Sequence, residues 1–232
     1  MLNVGHVEVE QDRIGALLGA GVQAPSLLGW HYLSPAILLG RGQRSSPDLV
    51  ERAGRERVPL LVRASGGGAV IAGPWMLSLT LVLPATHAFA RASLPAGYRA
   101  VGAACQRALA RFGFTTQIAP EPDRASCRDD IDPLEWACFA GVSHGELLAG
   151  GARKIVGISQ VRRRDVVAFC IGVLVGRPDW ATLVRVWLGH DDAACMRRLD
   201  DRTASCGGIA DPDDVPPVDT LAAAFEQQLL AA

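Results

Sequence analysis

The sequence predicts an α/β fold of the α+β kind, in which helices pack on a mixed, largely antiparallel central sheet. Helix and strand patterns alternate through most of the 232 residues, with strands dominating the middle and helices gathering toward the end. Hydrophobic residues make up 49% and charged residues 20%, a balance that favours a packed core over a disordered chain. Because no repeat or low-complexity linker divides the sequence, we expect one domain over residues 1–232.

Strand patterns supply most of the middle of the chain. Apolar runs at Leu27–Tyr32 and Ala36–Gly40 flank the turn signal Ser34-Pro35, which predicts two strands paired with each other. The other predicted strands are Leu60–Arg63, Met76–Leu83, Arg153–Val161 and Val166–Gly176.

The clearest predicted helix is Pro95–Phe112, whose apolar residues recur at three- and four-residue spacing before Gly113 stops it. Ser46 is a typical N-cap for a second helix over Pro47–Arg57. Two further helices are predicted, at Asp179–Leu188 and Thr220–Leu230. The segments Ala119–Pro133 and Asp211–Pro217 are predicted to be a loop and a linker.

Charge and hydropathy exclude several classes of protein. The net charge of −1 gives no general attraction to nucleic acid or to anionic membranes. Apolar runs such as Met76–Leu83 are far shorter than the roughly 18–20 residues that span a bilayer. Since Met1–Gln11 is acidic and polar, it does not resemble a signal peptide. We therefore expect a soluble, cytoplasmic protein with neither nucleic-acid nor membrane partners.

The cysteines and histidines show no spacing typical of a metal site. No two of the 6 cysteines are spaced as CxxC, and the 5 histidines form no HxH or HxxxH pair. Without an export signal a disulfide framework is not expected either. We expect no metal site, and thiols that are mostly buried.

One basic residue differs from the others. Of 23 basic residues 22 are arginine, and the single lysine is Lys154. Arginine is a wide planar fork, whereas lysine is a compact charge on a slim stem. A lysine kept in such a chain indicates a position that arginine cannot fill, and the alternative interpretation is that one lysine survived by chance.

Two glycine-containing segments are candidate sites. Arg63–Val70 holds three consecutive glycines, whose backbone can approach a ligand closely and direct several N–H groups at it. A glycine-rich turn between two strands is an equally good interpretation. In Gly150–Gln160 a loop becomes a strand at Lys154. Strict alternation would place Lys154 on the face opposite Gly157 and Ser159.

Together these segments resemble the catalytic domain shared by lipoate–protein ligases, lipoyl-domain octanoyltransferases and, more distantly, biotin–protein ligases. Arg63–Val70 resembles their Arg-Arg-Ser-Gly-Gly-Gly-Ala-Val, and Gly151–Gln160, with the extra residue Ala152, resembles Gly-Arg-Lys-Ile-x-Gly-Ser-Ala-Gln. Leu39–Gln43 is similar to an earlier Leu-Gly-x-x-Gln, and Gly73-Pro74 to a Gly-Pro that follows the glycine run. The resemblance covers roughly residues 30–190.

The resemblance implies an acyl slot beside a glycine cradle. It implies that Lys154 contacts the acyl carbonyl, and that the acyl group ends on a lysine of a lipoyl carrier domain. That carrier would be a 2-oxoacid dehydrogenase subunit or a glycine cleavage H-type protein. We expect no C-terminal accessory domain of the kind that long ligases carry, so a ligase of this length would either need a separate accessory protein as a further partner or act alone in a reduced form. The implied substrate-binding residues are Arg63, Ser65, Gly66, Gly67, Gly68, Ala69, Gly157 and Ser159.

Three functions stay open. The first choice is an ATP-dependent ligase that uses Mg²⁺ and forms an acyl-adenylate from lipoate or octanoate. The second is an octanoyltransferase that holds the acyl group on a thiol, with Cys138 ahead of Cys206 and Cys170 as the nucleophile. The third is a non-catalytic protein that binds lipoate or a lipoyl domain, because Ala72-Gly73 and Phe169–Gly172 replace histidine-containing family segments.

The predicted slot has a testable geometry. We expect apolar side chains of residues 36–40 and 76–82 to line it, and Gly66–Gly68 to close one end within about 10 Å of Lys154. We also expect Lys154 to lie at the slot edge outside the core, so that replacing it would not unfold the protein.

Overall fold

A seven-stranded sheet lies at the centre of the computed structural model, which describes residues 2–121, 132–210 and 215–231. The strands are β1 Leu2–Gly5, β2 Ser26–Tyr32, β3 Ala36–Leu39, β4 Leu60–Val62, β5 Val70–Ala72, β6 Met76–Pro84, β7 Gln117–Ile118, β8 Leu147–Ala149, β9 Arg153–Arg162 and β10 Val166–Leu174. The helices are α1 Val7–Ala20, α2 Pro47–Arg55, α3 Ala88–Arg91, α4 Leu94–Ala110, α5 Trp180–Leu188, α6 Ala193–Arg202, α7 Cys206–Ile209 and α8 Val218–Leu230.

The strand order of this sheet is β1-β2-β6-β10-β9-β8-β7. Only the β1–β2 pair is parallel among these described strands, and the other neighbours are antiparallel. The predicted fold class, a mixed and largely antiparallel sheet with packed helices, is confirmed.

A second sheet of three strands has the order β4-β3-β5. The prediction that Leu27–Tyr32 pairs with Ala36–Gly40 is wrong, because β2 joins the large sheet while β3 pairs with β4 and β5. Ser34-Pro35 does turn the chain. The turn carries the chain from one sheet to the other instead of closing a hairpin.

The large sheet buries its two faces differently. On β6 the leucines at 77, 79, 81 and 83 pack with α4 and α8 in the largest apolar cluster. The opposite face is covered in part by α1, whose Ile14 and Leu18 pack on Val82 and Ala168. The candidate site lies on this second face.

The helix ends follow local rules. Ser46 caps α2 by accepting a hydrogen bond from the Leu49 N–H at 3.2 Å, as predicted. Gly113 takes a φ of +79° just past the end of α4, where a left-handed residue costs glycine little. Among the described helices, α1 and α6 and the short α3 and α7 were not predicted.

Most of the predicted loop Ala119–Pro133, and residues 211–214 of the predicted linker, lie outside the described residues. Among the helices that the structure does describe, none combines the length and apolar character that crossing a bilayer requires.

Candidate functional site

The floor of the candidate site is made of small residues in two rows that cross three strands. In each row the residues are cross-strand neighbours, so their side chains point to the same face of the sheet. One row is Gly157, Gly172 and Ser78; the other is Ser159, Cys170 and Thr80. Since the paired glycines carry no side chain, the sheet surface is lowest there.

A cavity of about 620 Å³, counting its open mouth, lies above this floor. That volume is within the range of roughly 300–1,000 Å³ typical of small-molecule sites. Its other walls are largely apolar, and they include Ile14, Leu38, Val70, Met76 and Phe139. We call this space the slot.

The slot lining differs from the prediction. Of residues 36–40 only Leu38 reaches it, and of residues 76–82 only Met76, Ser78 and Thr80 do. The apolar leucines between them on β6 face the helices instead, because strand side chains alternate between faces. Gly66–Gly68 do not close the slot but line a neighbouring cavity.

A buried carboxyl group from α1 lines the slot beside β6. Glu10 is 1% exposed and accepts hydrogen bonds from the hydroxyls of Tyr32 and Ser78, the latter at 2.7 Å. Burial raises the pKa of Glu10, while the hydrogen bonds from Tyr32, Ser78 and Gln11 act in the opposite direction. The same burial and the neighbouring Glu10 raise the pKa of Tyr32 well above its ordinary value.

Arg63 shapes the glycine segment from inside. The side chain is buried, and its guanidinium donates to the carbonyl oxygens of Leu38 (3.2 Å), Gly66 and Gly68 (2.8 Å each) and to the Ser65 hydroxyl (3.1 Å). These bonds turn the glycine carbonyls inward. No described residue accepts a hydrogen bond from the N–H groups of Gly66–Gly68, which leaves them as donors for a ligand.

Cys138 is held directly against this segment. Its N–H donates to the Ala69 carbonyl at 2.8 Å, and the Ala69 N–H donates to Trp136 at 2.6 Å. A Cβ on Gly68 would lie 2.5 Å from the Trp136 oxygen, so only glycine allows this approach. Ser159 donates to the Ser65 hydroxyl at 2.9 Å and ties the loop to the floor.

A second cavity, of about 880 Å³ with its open part, meets the slot at Cys138. Lys154 and Gly66–Gly68 both line it, so the structure brings the two predicted segments together. Cys138 lines both cavities, as do Ile158 and Ser159, so this residue lies where the cavity of the glycine segment adjoins the apolar slot.

Lys154 is buried in an ion pair instead of standing free at the slot edge. It is 1% exposed, and its Nζ lies 2.7 Å from Glu146 Oε1. Nζ also donates to the carbonyl oxygens of Cys138 (2.8 Å) and Gly141 (3.1 Å). All three ammonium protons therefore have acceptors, and a ligand carbonyl can accept a hydrogen bond from Nζ only by replacing one of these acceptors.

The predicted orientation of Lys154 is wrong. A Cβ on Gly157 would lie 3.2 Å from Lys154 Cε, so the two residues face the same side. The cause is a break in register between β8 and β9, where Leu147 pairs with Val156 but Leu148 pairs with Lys154. The extra residue, Ile155, forms a bulge that reverses the alternation at Lys154.

Glu146 is a site residue that the sequence interpretation missed. It is 2% exposed and also accepts from the N–H groups of Ser143 (2.7 Å) and Ile158 (3.2 Å). Gly150-Gly151 after an apolar triplet is a hairpin signal, and a hairpin there would have brought Glu146 near the start of β9.

The other candidate thiols are placed less well for chemistry. Cys170 lies on the slot floor, where burial, followed by the nearby Glu10, raises its pKa to about 11. Cys206 is fully buried in the cluster on the helix side of the sheet, and burial raises its pKa to about 12. Thiols with raised pKa values hold little thiolate near neutral pH and are poor nucleophiles.

In residues 2–121, 132–210 and 215–231, no three His, Cys, Asp or Glu side chains converge as metal ligands. The described groups are instead a thiol, unpaired backbone N–H donors and an apolar slot. Such donors suit the negative charge that develops on a carbonyl oxygen during acyl transfer.

Octanoyltransferases are similar in sequence to part of this chain. An octanoyltransferase LipM from an Exiguobacterium strain is 28% identical over 160 residues, covering 67% of this chain and 56% of the relative. The LipM of Exiguobacterium sibiricum is 25% identical over 166 residues, covering 70% and 58%. This chain thus spans a little over half the length of these relatives.

Solved structures share the fold at lower identity. A lipoate-protein ligase A bound with ATP has a TM-score of 0.70 at 16% identity, covering 98% of this chain and 81% of that one. A bi-partite lipoate protein ligase from Thermoplasma acidophilum, studied with its E2 lipoyl domain, gives 0.67 at 14%, covering 99% and 81%. Residues 10–195 match the family described as the lipoyl protein ligase A/B catalytic domain, and the chain belongs to that family.

Proposed function

We propose that this protein transfers an octanoyl or similar medium-chain acyl group from a thioester donor to a lysine of a lipoyl domain, with Cys138 as the carrier. The observation that carries the proposal is the position of Cys138 between the slot and the cavity of the glycine N–H groups. Relatives named as octanoyltransferases support it. The ligase reaction, our first choice from sequence, does not require a thiol there.

In the first step the Cys138 sulfur attacks the carbonyl carbon of the donor thioester. A new carbon–sulfur bond forms to Cys138, the donor's carbon–sulfur bond breaks, and the donor leaves as a thiol with the proton that Cys138 gave up. The N–H groups of Gly66–Gly68 are the donors for the oxyanion. The hydrocarbon chain extends into the slot.

In the second step the neutral amine of the acceptor lysine attacks the Cys138 thioester. The amide bond forms, the carbon–sulfur bond breaks, and Cys138 regains a proton that the amine loses. The second cavity, open to solvent, is the route for the lysine side chain. Lipoyl domains of a 2-oxoacid dehydrogenase or of a glycine cleavage H-type protein are the proposed acceptors.

Lys154 acts in this scheme as a positioning residue. Its ammonium holds the Cys138 carbonyl, while Glu146 fixes the ammonium from the other side. The pair therefore sets the position of the peptide that carries the thiol.

The test is intact mass after mixing the protein with octanoyl acyl carrier protein. We expect one octanoyl adduct that hydroxylamine removes, lost in Cys138→Ala and kept in the control Cys195→Ala, whose thiol is buried and lines neither cavity. An adduct that survives in Cys138→Ala would overturn the assignment. Pyrophosphate release from ATP with octanoate, and no adduct in the parent, would favour the ligase.

A further inference from the structure

We propose that the Glu10–Tyr32–Ser78 network is a chain-length gauge, which stops the slot at about eight carbons. The proposal rests on the proposed function only for the identity of the occupant, an acyl chain. It concerns the end of the slot remote from the thiol.

The direction of the slot follows from the strand order. Lys154 and Phe139 lie against Gly157 on β9, and the Lys154 ammonium donates a hydrogen bond to the Cys138 carbonyl oxygen. Ser78, on β6, donates to Glu10. Since β10 lies between β9 and β6, the slot crosses the strands from the thiol toward Glu10.

The distance across these strands matches a medium chain. Neighbouring strands are about 4.8 Å apart, so β9 and β6 are separated by roughly 10 Å. An extended eight-carbon chain has seven carbon–carbon bonds of about 1.5 Å and, with its zigzag, spans roughly 9 Å. A chain with its carbonyl at Cys138 would therefore place its terminal methyl group near Glu10.

The network is built to stop a chain and not to bind its end. Tyr32 and Ser78 both donate to the Glu10 carboxyl group, and the Gln11 amide adds a third donor at 3.4 Å. Glu10 forms no salt bridge with a described cation. A longer hydrocarbon would have to separate these buried groups without offering them a hydrogen bond.

A merely structural anchor for α1 would behave differently from a gauge. Loss of an anchor lowers stability but leaves the order of preference among acyl chains unchanged. Loss of a gauge changes that order. The readout is therefore the chain-length profile and not the total activity.

The experiment measures the rate of Cys138 acylation with acyl carrier proteins bearing 6, 8, 10, 12 and 14 carbons. In the parent we expect a fall of about 10–200-fold beyond eight carbons, the usual discrimination by one or two methylenes. Glu10→Ala should accept ten and twelve carbons, while Ser78→Val, which adds bulk before the end, should favour six. The matched control is Glu8→Gln, on the same helix but outside the slot lining, and it should keep the parent profile.

A second readout separates this proposal from the proposed function. Cys138→Ala is mixed with straight-chain alcohols of the same lengths, and the rise in melting temperature is recorded. A maximum near eight carbons that moves in Glu10→Ala supports the gauge, even where the parent forms no adduct. An adduct in the parent with equal rates for 8 to 14 carbons would overturn the gauge and leave the proposed function intact.

Discussion

The two faces of the central sheet are built from the same strands but filled in opposite ways. On β10, Phe169, Ile171 and Val173 point toward α4 and α8 and are fully buried. Their neighbours Cys170 and Gly172 point the other way and line the slot. One face is a close-packed core, and the other leaves room for a ligand.

The difference shows that a strand can serve stability and function through alternate residues. Large apolar side chains on one face bury apolar surface and stabilise the fold. Small side chains on the other face leave the space that forms the slot. The two roles should respond differently to substitution.

The largest difference is expected between adjacent residues of β10. Phe169→Ala should lower the free energy of unfolding by about 3–5 kcal/mol, because it leaves a cavity in the packed face. Cys170→Ala should change it by less than about 1 kcal/mol, because that side chain already borders a cavity. Urea denaturation measures both, and equal losses would contradict the comparison.

Lys154 is expected to be an exception to this division between the two faces, because it lies on the slot side and yet contributes to stability. Lys154→Ala leaves the Glu146 carboxylate buried without a compensating positive charge, which should cost about 3–5 kcal/mol in urea denaturation. This corrects the expectation that Lys154 lies outside the core. Lys154→Met combined with Glu146→Leu should recover most of the loss, and a double variant as unstable as Lys154→Ala would refute the explanation.

A smaller effect is expected from filling the slot floor. A Cβ at Gly157 would lie 3.2 Å from both Lys154 and Phe139, so these side chains must shift by tenths of an ångström. Gly157→Ala should slow Cys138 acylation about 10–100-fold through misplacement. The cost in stability should be only about 1–2 kcal/mol. Gly42→Ala, where a Cβ meets nothing within 4 Å, is the control and should match the parent.

The smallest effect concerns the charge of Glu10. Burial raises the folded-state pKa of Glu10 above its ordinary value, so at pH values between the two the folded protein holds a proton that the unfolded chain releases. Stability from this group is present at low pH and is lost as the pH rises through the raised value. The glutamine in Glu10→Gln cannot ionise. As the pH rises, the melting temperature of this variant should therefore increase relative to that of the parent, by about 2–4 °C for each kcal/mol of stability that the parent loses.

Melting curves from pH 4 to pH 8 give the comparison. Glu8→Gln on the same helix is the control and should follow the parent at every pH. A constant gap between Glu10→Gln and the parent would show that Glu10 does not change its ionisation in this range.

The sequence predicts the sheet class, the principal strands and the meeting of Gly66–Gly68 with Lys154. These depend on local patterns and on motifs whose spacing survives in the chain. The face of Lys154 could not be predicted, because a single-residue bulge changes the alternation without changing the composition.

Helix α1 was missed for a physical reason. Its buried positions are Val7, Glu10, Ile14 and Leu18, and a carboxylate interrupts the apolar stripe. Only the fold shows that Tyr32 and Ser78 donate hydrogen bonds to Glu10, which offset the cost of burying its carboxyl group. A count of apolar residues therefore misses a helix whose polar residue belongs to the site.

The facing pair Gly157 and Gly172 has one more consequence. Glycine is a poor strand residue, because it packs nothing against its neighbours and leaves the ladder beneath it exposed to water. A hydrocarbon chain lying on these two residues would cover those backbone hydrogen bonds, as side chains do elsewhere. The ligand would then act as a detachable part of the hydrophobic core, and amide hydrogen exchange in the centre of β9 and β10 would slow when the slot is filled.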